Sequence, residues 1–481
     1  MSTLGPKLNS KLNSNLFKIS SLEKRSAFML SLIFGVRMLG LFMILPVFSL
    51  YIGSFQQATP FLMGVALGIY GFSSGVCQIF FGILSDILGR KSTITLALAI
   101  FALGSLVAAK AHSIDVLIVG RFLQGAGASG SAILALLSDL TRPESRSKAM
   151  AIIGMMIGIS FVAAMILGPW INHFSGLSGI FYLTAILAIL GMLILWFLVP
   201  NPEQSVFHED QQFRFSAFKQ AISNLNLWRL NLGVFLLHAI LVGVFVALPW
   251  VFKVQSKMTQ THQEFLYLIT LVLSFVSVVP FIIVSEKKGM IKQFSLAAIG
   301  LLVFAIFIFM LGASHMWLMS IGLWIFFTGF IFLEATLPSW LSKVCPLKAR
   351  GTSFGVYSSC QFFGAFLGGS LSGFFLGNGA IGSLEASQKV FIFVMVLALF
   401  WLIIKVNIKR PPYRVTRMLS IPFVTQENSD EVLSSLRLIS GVVDVQLGVP
   451  EKTAYLRVEK IEENVFNQSS EEALKQWQKG H

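Results

Sequence analysis

The chain has 481 residues, 55% of them hydrophobic and 12% charged, with a formal net charge of +14 and a mean hydropathy of +0.78. Soluble domains carry about a quarter charged residues, so this composition excludes an ordinary soluble enzyme or binding module. The basic residues are scattered over many short segments rather than gathered on one face, which gives the charge a membrane explanation and no nucleic-acid partner.

Crossing about 30 Å of hydrocarbon takes roughly 20 apolar residues in a helix. Twelve segments meet that requirement, near residues 27–51, 61–82, 92–110, 115–137, 149–170, 178–200, 229–252, 264–285, 291–312, 316–340, 353–376 and 389–407. The first is too long for a signal peptide and is followed by no small-residue cleavage site, so it is expected to stay. Basic residues concentrate in the N-terminal segment 1–26 and in alternate loops, which places both termini in the cytoplasm. The lipid bilayer is thus the first partner the sequence names. Cys77, Cys345 and Cys360 are odd in number and two lie inside spans, so neither a disulfide framework nor a metal site is expected.

A polar linker, 201–228, divides the spans into six-helix bundles at 27–200 and 229–407, the 6+6 layout of two-bundle transporters. The halves echo each other: Asp139-x-x-Arg142-Pro143-x-x-Arg146 corresponds to Lys343-x-x-Pro346-x-x-x-Arg350, and each run precedes a glycine-rich span. Those glycines (Gly154, Gly158 and Gly168; Gly355, Gly364, Gly368 and Gly369) serve either plain close packing or a rocking interface between the halves. Beyond a short linker, 408–413, residues 414–481 change to a soluble composition of net charge −2. Strand and helix periodicities there give strand, helix, strand, strand, helix, a small α+β domain of ferredoxin-like βαββα type. Its Leu436 to Val445 stretch resembles heavy-metal-associated domains but has no Met-x-Cys-x-x-Cys motif, so no metal is expected. The fold class is therefore an all-α polytopic membrane protein carrying a small α+β tail.

Charged side chains at mid-membrane cost roughly 2.5–3.5 kcal/mol on insertion scales, so each is a functional candidate. Those present are Arg37 in span 1, Arg121 with Gln124 in span 4, and Glu334 in span 10, with titratable His238 in span 7. Arginine keeps its proton at physiological pH, so Arg37 and Arg121 would act indirectly, by biasing a carboxyl or binding an anionic group. Arg37 can also snorkel toward the interface. Glu334 is the expected proton carrier by elimination, since Asp86, Asp139 and Glu264 lie at helix ends, with a structural hydrogen bond to a neighbouring helix as the alternative role. His238 reads more simply as a packed, satisfied histidine.

Two enzyme-like strings fail their structural tests. Gly125 to Gly130 fits G-x-G-x-x-G and Gly71 to Gly75 fits G-x-S-x-G, but both lie inside apolar spans with no preceding strand. The sequon Asn467-Gln468-Ser469 falls on the cytoplasmic side, where it has no meaning. No catalytic constellation remains, and no cofactor is called for.

The loop after span 2 runs Gly82-Ile83-Leu84-Ser85-Asp86-Ile87-Leu88-Gly89-Arg90-Lys91. It resembles the loop between helices 2 and 3 of major facilitator superfamily transporters, with Ile87 where that family usually has an arginine. In that family the aspartate, here Asp86, faces the N-terminus of helix 11, here near Gly351-Thr352. The second arginine, here Arg90, pairs with an acid after helix 4, here Asp139. Together they form a latch that would hold the outward-open state. The run Arg121-x-x-Gln124-Gly125 resembles the superfamily's helix-4 motif, linked there to proton coupling. With Arg37-Met38-Leu39-Gly40, Gly68-Ile69-Tyr70-Gly71, Leu137 to Arg142, Val246 to Pro249 and the soluble tail, nearly the whole chain resembles the YajR-type transporters of bacteria. The resemblance implies a multi-pass inner-membrane exporter that exchanges a small, amphipathic substrate for protons, powered by the proton gradient. Uptake, facilitated diffusion, or a transporter-derived sensor signalling through its tail are the alternatives. The acid that many drug antiporters carry in helix 1 is absent. The tail is expected to regulate, by docking on cytoplasmic loops, binding a small ligand or self-association.

Overall fold

The computed structural model describes residues 20–141, 143–201, 224–312, 315–345, 350–377, 383–406, 414–421, 424–425, 428–439, 441–449 and 453–459. The expected linker 408–413, most of the linker 201–228 and the expected tail helix over Ser469–Gln478 lie outside them.

Helix α1 is Ser21–Phe42, and it begins six residues before the span expected from hydropathy because Ser20 and Glu23 close a capping box on its first turn. Glu23 N donates to Ser20 Oγ at 3.1 Å and Ser20 N to Glu23 Oε2 at 2.8 Å. Helices α2 (Pro60–Ile87) and α3 (Arg90–Ala109) follow, separated by Gly89 in the left-handed region at φ +85°. The fourth span is broken into α4 (Ile114–Ala126) and α5 (Gly130–Asp139). This is where the G-x-G-x-x-G string lies, and its glycines serve packing. A Cβ at Gly125 would sit 2.2 Å from the Tyr70 carbonyl oxygen, and one at Gly127 2.5 Å from that of Ala97.

Spans five and six follow as two helices that meet at a kink at Gly176, φ +62°, taken together as α6 (Pro143–Leu198), 56 residues long. Its apolar stretch of 47 residues is about 70 Å long at 1.5 Å per residue, more than twice a bilayer core, so it crosses twice. With the ten other apolar helical stretches this makes twelve crossings among the described residues. They continue as α7 (Leu225–Trp250), which ends in a π-helical turn over Val251–Gln255, then α8 (Gln260–Lys287) and α9 (Ile291–Leu311). The last are α10 (Met316–Val344), α11 (Arg350–Leu376) and α12 (Leu384–Val406). Phenylalanines such as Phe80, Phe197 and Phe374 are exposed on the outer faces, as lipid-facing side chains should be.

Two compact units divide the chain, one of residues 1–207, 229–337 and 355–408, the other of 208–228, 338–354 and 409–481. In the second, β1 (Arg414–Ser420), α13 (Ser429–Arg437), β2 (Val442–Gly448) and β3 (Thr453–Glu459) form an antiparallel sheet ordered β1-β3-β2. The helix crosses between two strands that leave room for a third, a split βαβ arrangement. Ile421, Val432, Leu436, Val445 and Leu456 are buried between helix and sheet.

Candidate transport site and gate

At the α2–α3 turn Arg90 and Asp139 pair as expected, and Asp86, expected to face the start of α11, pairs with Arg90. Arg90 Nε donates to Asp139 Oδ2 at 2.9 Å, its Nη1 to Ser85 Oγ at 2.6 Å, and the same Nη1 bonds closely to Asp86. The Asp139 side chain is fully buried whereas Asp86 is 30% exposed, so Asp139 is the partner held away from water. Gly89 supplies the turn that lets Arg90 start α3. Ile87, at the position where an arginine is usual, is 74% exposed and joins no network. Gly82 has ordinary space beside Ser131. Lys91 acts elsewhere, because its Nζ donates to the Val199 carbonyl at 2.6 Å and lies 5.6 Å from the Trp196 ring, capping the end of α6 with a cation.

Deeper in the same half, Arg37 does not snorkel. It is 1% exposed, donating from Nε to Tyr70 Oη at 3.2 Å and from Nη2 to Ser74 Oγ at 3.0 Å, with the Phe362 ring 5.3 Å from its guanidinium carbon. Arg121 lies on the other side of Tyr70, 4.9 Å from that ring, and donates to Gln124 Oε1 at 2.7 Å. Gln124 passes the chain on to Ser105 Oγ at 2.8 Å. Arg121 and Gln124 are therefore members of a closed internal network. Tyr70 and Ser74 carry no charge and gave no sequence signal of their own beyond Tyr70's place in the Gly68 to Gly71 run.

Glu334 and His238, from α10 and α7, are brought together. Glu334 Oε2 lies 3.7 Å from His238 Nε2, and Gln361 of α11 bridges them, 2.8 Å from His238 Nε2 and 3.5 Å from Glu334 Oε1. His238 Nδ1 is 3.1 Å from the Val234 carbonyl, which can only accept, so that nitrogen carries a proton. In the neutral ring Nε2 then accepts from the Gln361 amide. A second proton on the ring would make Nε2 a donor, so the Gln361 amide would have to turn its oxygen toward it or give way to the Glu334 carboxylate as acceptor. The expectation of a merely packed His238 is thus incomplete: it is 2% exposed and packed, yet it shares a polar cluster with the intramembrane carboxyl of Glu334, whose side chain is 24% exposed. Phe330 stands 5.9 Å from the histidine ring and Phe161 5.2 Å from Phe330, forming an apolar wall beside the cluster. Gln361 was missed because a lone glutamine in an apolar span has no motif.

The model of the Major Facilitator Superfamily matches residues 30–369, well over half of the chain. The chain belongs to that superfamily. It is 39% identical over 96% of its length to the inner membrane transport protein YajR of Escherichia coli strain K12, all of which is covered. It is 28% identical over 34% of its length to a bicyclomycin resistance protein homolog of Haemophilus influenzae, covering 44% of that protein. Among solved structures, a D-xylose–proton symporter superposes with a TM-score of 0.63 at 14% identity, over 78% of this chain and 95% of that one, which shows the shared fold alone. A major facilitator is a transporter and not an enzyme.

In this major facilitator the two halves meet along α2 and α11. A Cβ on Gly64 would sit 2.2 Å from the Gly369 carbonyl oxygen and one on Gly71 2.4 Å from that of Phe362. On its other side α11 packs on α7, where a Cβ on Gly364 would lie 2.0 Å from the Phe235 carbonyl oxygen. Not all the glycines expected at close contacts are there. Gly154, Gly158 and Gly355 face open space, because the helix faces that carry them meet no neighbour in this conformation.

Proposed function

We propose that the chain is a proton-coupled antiporter that exports a small amphipathic compound by alternating access between its two six-helix halves. The observation that carries this reading is the Glu334–Gln361–His238 cluster, in which a half-buried carboxyl and a buried imidazole inside the spans share one bridging amide. Such a cluster has two hydrogen-bond arrangements that differ by one proton, and that is what coupling requires. The aromatic wall of Phe161, Phe326, Phe327 and Phe330 offers an adaptable apolar surface beside it. The names of the Escherichia coli and Haemophilus influenzae relatives support an inner-membrane location and the export direction. The loop charges favour cytoplasmic termini.

Arg90, Asp86 and Asp139 act as the latch on the cytoplasmic side, and residues 27–200 and 229–407 are the rocking halves. The tail is a ferredoxin-like regulatory domain, and its net charge of −2 against basic loops favours docking there. The deciding experiment is flux of a labelled amphipathic compound from proteoliposomes with and without an imposed pH gradient. Gradient-driven accumulation against concentration is expected. Flux indifferent to the gradient would mean facilitated diffusion, and binding without flux a sensor.

A further inference from the structure

Among the described residues, Arg37 and Arg121 are guanidinium groups almost wholly removed from solvent, and neither has a carboxylate among its partners. Each of the three nitrogens of Arg121 has a partner, Gln124 or one of two carbonyls. Arg37 differs: Tyr70 and Ser74 take Nε and Nη2, while Nη1 has no hydrogen-bond partner. The only groups that compensate its charge are neutral hydroxyls and the face of Phe362. A buried charge without a counter-charge is costly, and an anion brought beside it recovers that cost.

A second orphan lies at the same place. Gln78 is 7% exposed and its Oε1 accepts from nothing. The unpartnered Arg37 Nη1 and Gln78 Oε1 both border the position a Cβ would take on Gly130, at 3.0 and 3.6 Å. One buried donor with a full positive charge and one buried acceptor therefore converge beside a residue that has no side chain. Phe362 covers the guanidinium from α11, in the opposite half of the molecule, so separation of α2 from α11 during rocking would uncover it.

We propose that this is the headgroup subsite, and that the transported compound is an amphipathic anion. Its carboxylate or similar oxyanion pairs with Arg37 Nη1, and a hydroxyl or N–H on the same ligand can donate to Gln78 Oε1. The ring of Phe362 is displaced from the guanidinium and becomes apolar wall for the tail of the ligand. This rests on the reading of the chain as a transporter, but it is tested without transport.

Binding to the purified full-length protein is measured by equilibrium dialysis with three probes of matched apolar body: 1-naphthylacetate, 1-naphthylethanol and 1-naphthylethylammonium. The acetate is expected to bind about tenfold more tightly than either other probe, a difference of about 1.4 kcal/mol, as one charge-assisted hydrogen bond supplies. Arg37→Gln should remove that preference and Arg37→Lys keep part of it. Gly130→Ala leaves the charge in place and fills the space beside it, so it should weaken the acetate alone; it is the second variant should Arg37→Gln fold poorly. Equal or weaker binding of the acetate in the unaltered protein, or a preference unchanged in both Arg37→Gln and Gly130→Ala, overturns the assignment. Loss of proton coupling with the anion preference intact would count against the antiport reading and leave this subsite standing.

Discussion

Glu334 of α10 and His238 of α7 lie 3.7 Å apart, Oε2 to Nε2, with Gln361 of α11 reaching both. Three helices of one half thus contribute one side chain each to a cluster that a single proton would rearrange. Glu334→Gln fixes the neutral arrangement. Flux driven by a pH gradient should fall about tenfold or more, while exchange of substrate for substrate survives, because the amide mimics the protonated acid but releases nothing. Persistence of gradient-driven flux in that variant would move the carrier elsewhere.

Gln361→Leu separates the two remaining partners without changing either. A leucine leaves His238 Nε2 without its donor inside an apolar span, a loss worth about 1–3 kcal/mol for a buried polar group. Thermal stability should drop and the pH dependence of flux should change shape, whereas Gln361→Asn should do less. An unchanged pH profile in Gln361→Leu would mean that the bridge has no part in coupling.

The latch separates by burial. Asp86 is 30% exposed, so its pair with Arg90 is worth about 0–1 kcal/mol, and Asp86→Asn should leave thermal stability nearly unchanged while flux falls sharply. Arg90→Gln strands the fully buried Asp139 side chain, a loss of about 3–5 kcal/mol, and should lower both stability and yield. Melting curves of the two variants beside their flux check this; full flux in a well-folded Asp86→Asn protein would remove Asp86 from the gate.

Much of this was legible in the sequence. Twelve spans follow from hydropathy, and the charged turn at Asp86 to Lys91 stands out because charge in an apolar chain is rare; the pairing of Arg90 with Asp139 comes from the resemblance of that turn to the superfamily's loop. The tail's strands alternate visibly as well. The break at Gly127–Ser129 was not legible, because it depends on which neighbour a glycine meets: the Tyr70 and Ala97 carbonyls for Gly125 and Gly127. Uncharged partners were invisible for a similar reason. Tyr70, Ser74, Gln78 and Gln361 acquire meaning only from the charged atoms they stand beside.

Gly64→Leu should force α2 from α11, since its Cβ alone would meet the Gly369 carbonyl oxygen at 2.2 Å and the Gly373 Cα at 3.0 Å. Backbone cannot yield there as a side chain would. Leu376 lies in the same region, lining a small cavity with Trp250, whose indole donates to the Ser49 carbonyl at 2.6 Å. A cysteine at Leu376, with Cys77, Cys345 and Cys360 replaced, should therefore react faster with a membrane-impermeant maleimide when Gly64→Leu is present. Equal rates would mean that this contact does not hold the halves closed.

The tail owes its core to its own residues. Val432 and Leu436 of α13 pack on Val445 of β2 and on Ala454, Leu456 and Val458 of β3, and β3 pairs with both outer strands, with one register shift between Val442 and Asp444 of β2. A core of this kind, small but continuous, is enough for marginal independent folding at this length. Residues 413–481 expressed alone should therefore melt cooperatively, and the membrane part without them should keep gradient-driven flux. With a net charge of −2 against basic loops, any docking is electrostatic and weakens as salt rises past the point where the screening length falls to about 10 Å. Adding the isolated tail back to truncated protein should change flux at low salt and not at high salt. Complete loss of flux in a stable, inserted truncation would instead make the tail part of the transport cycle.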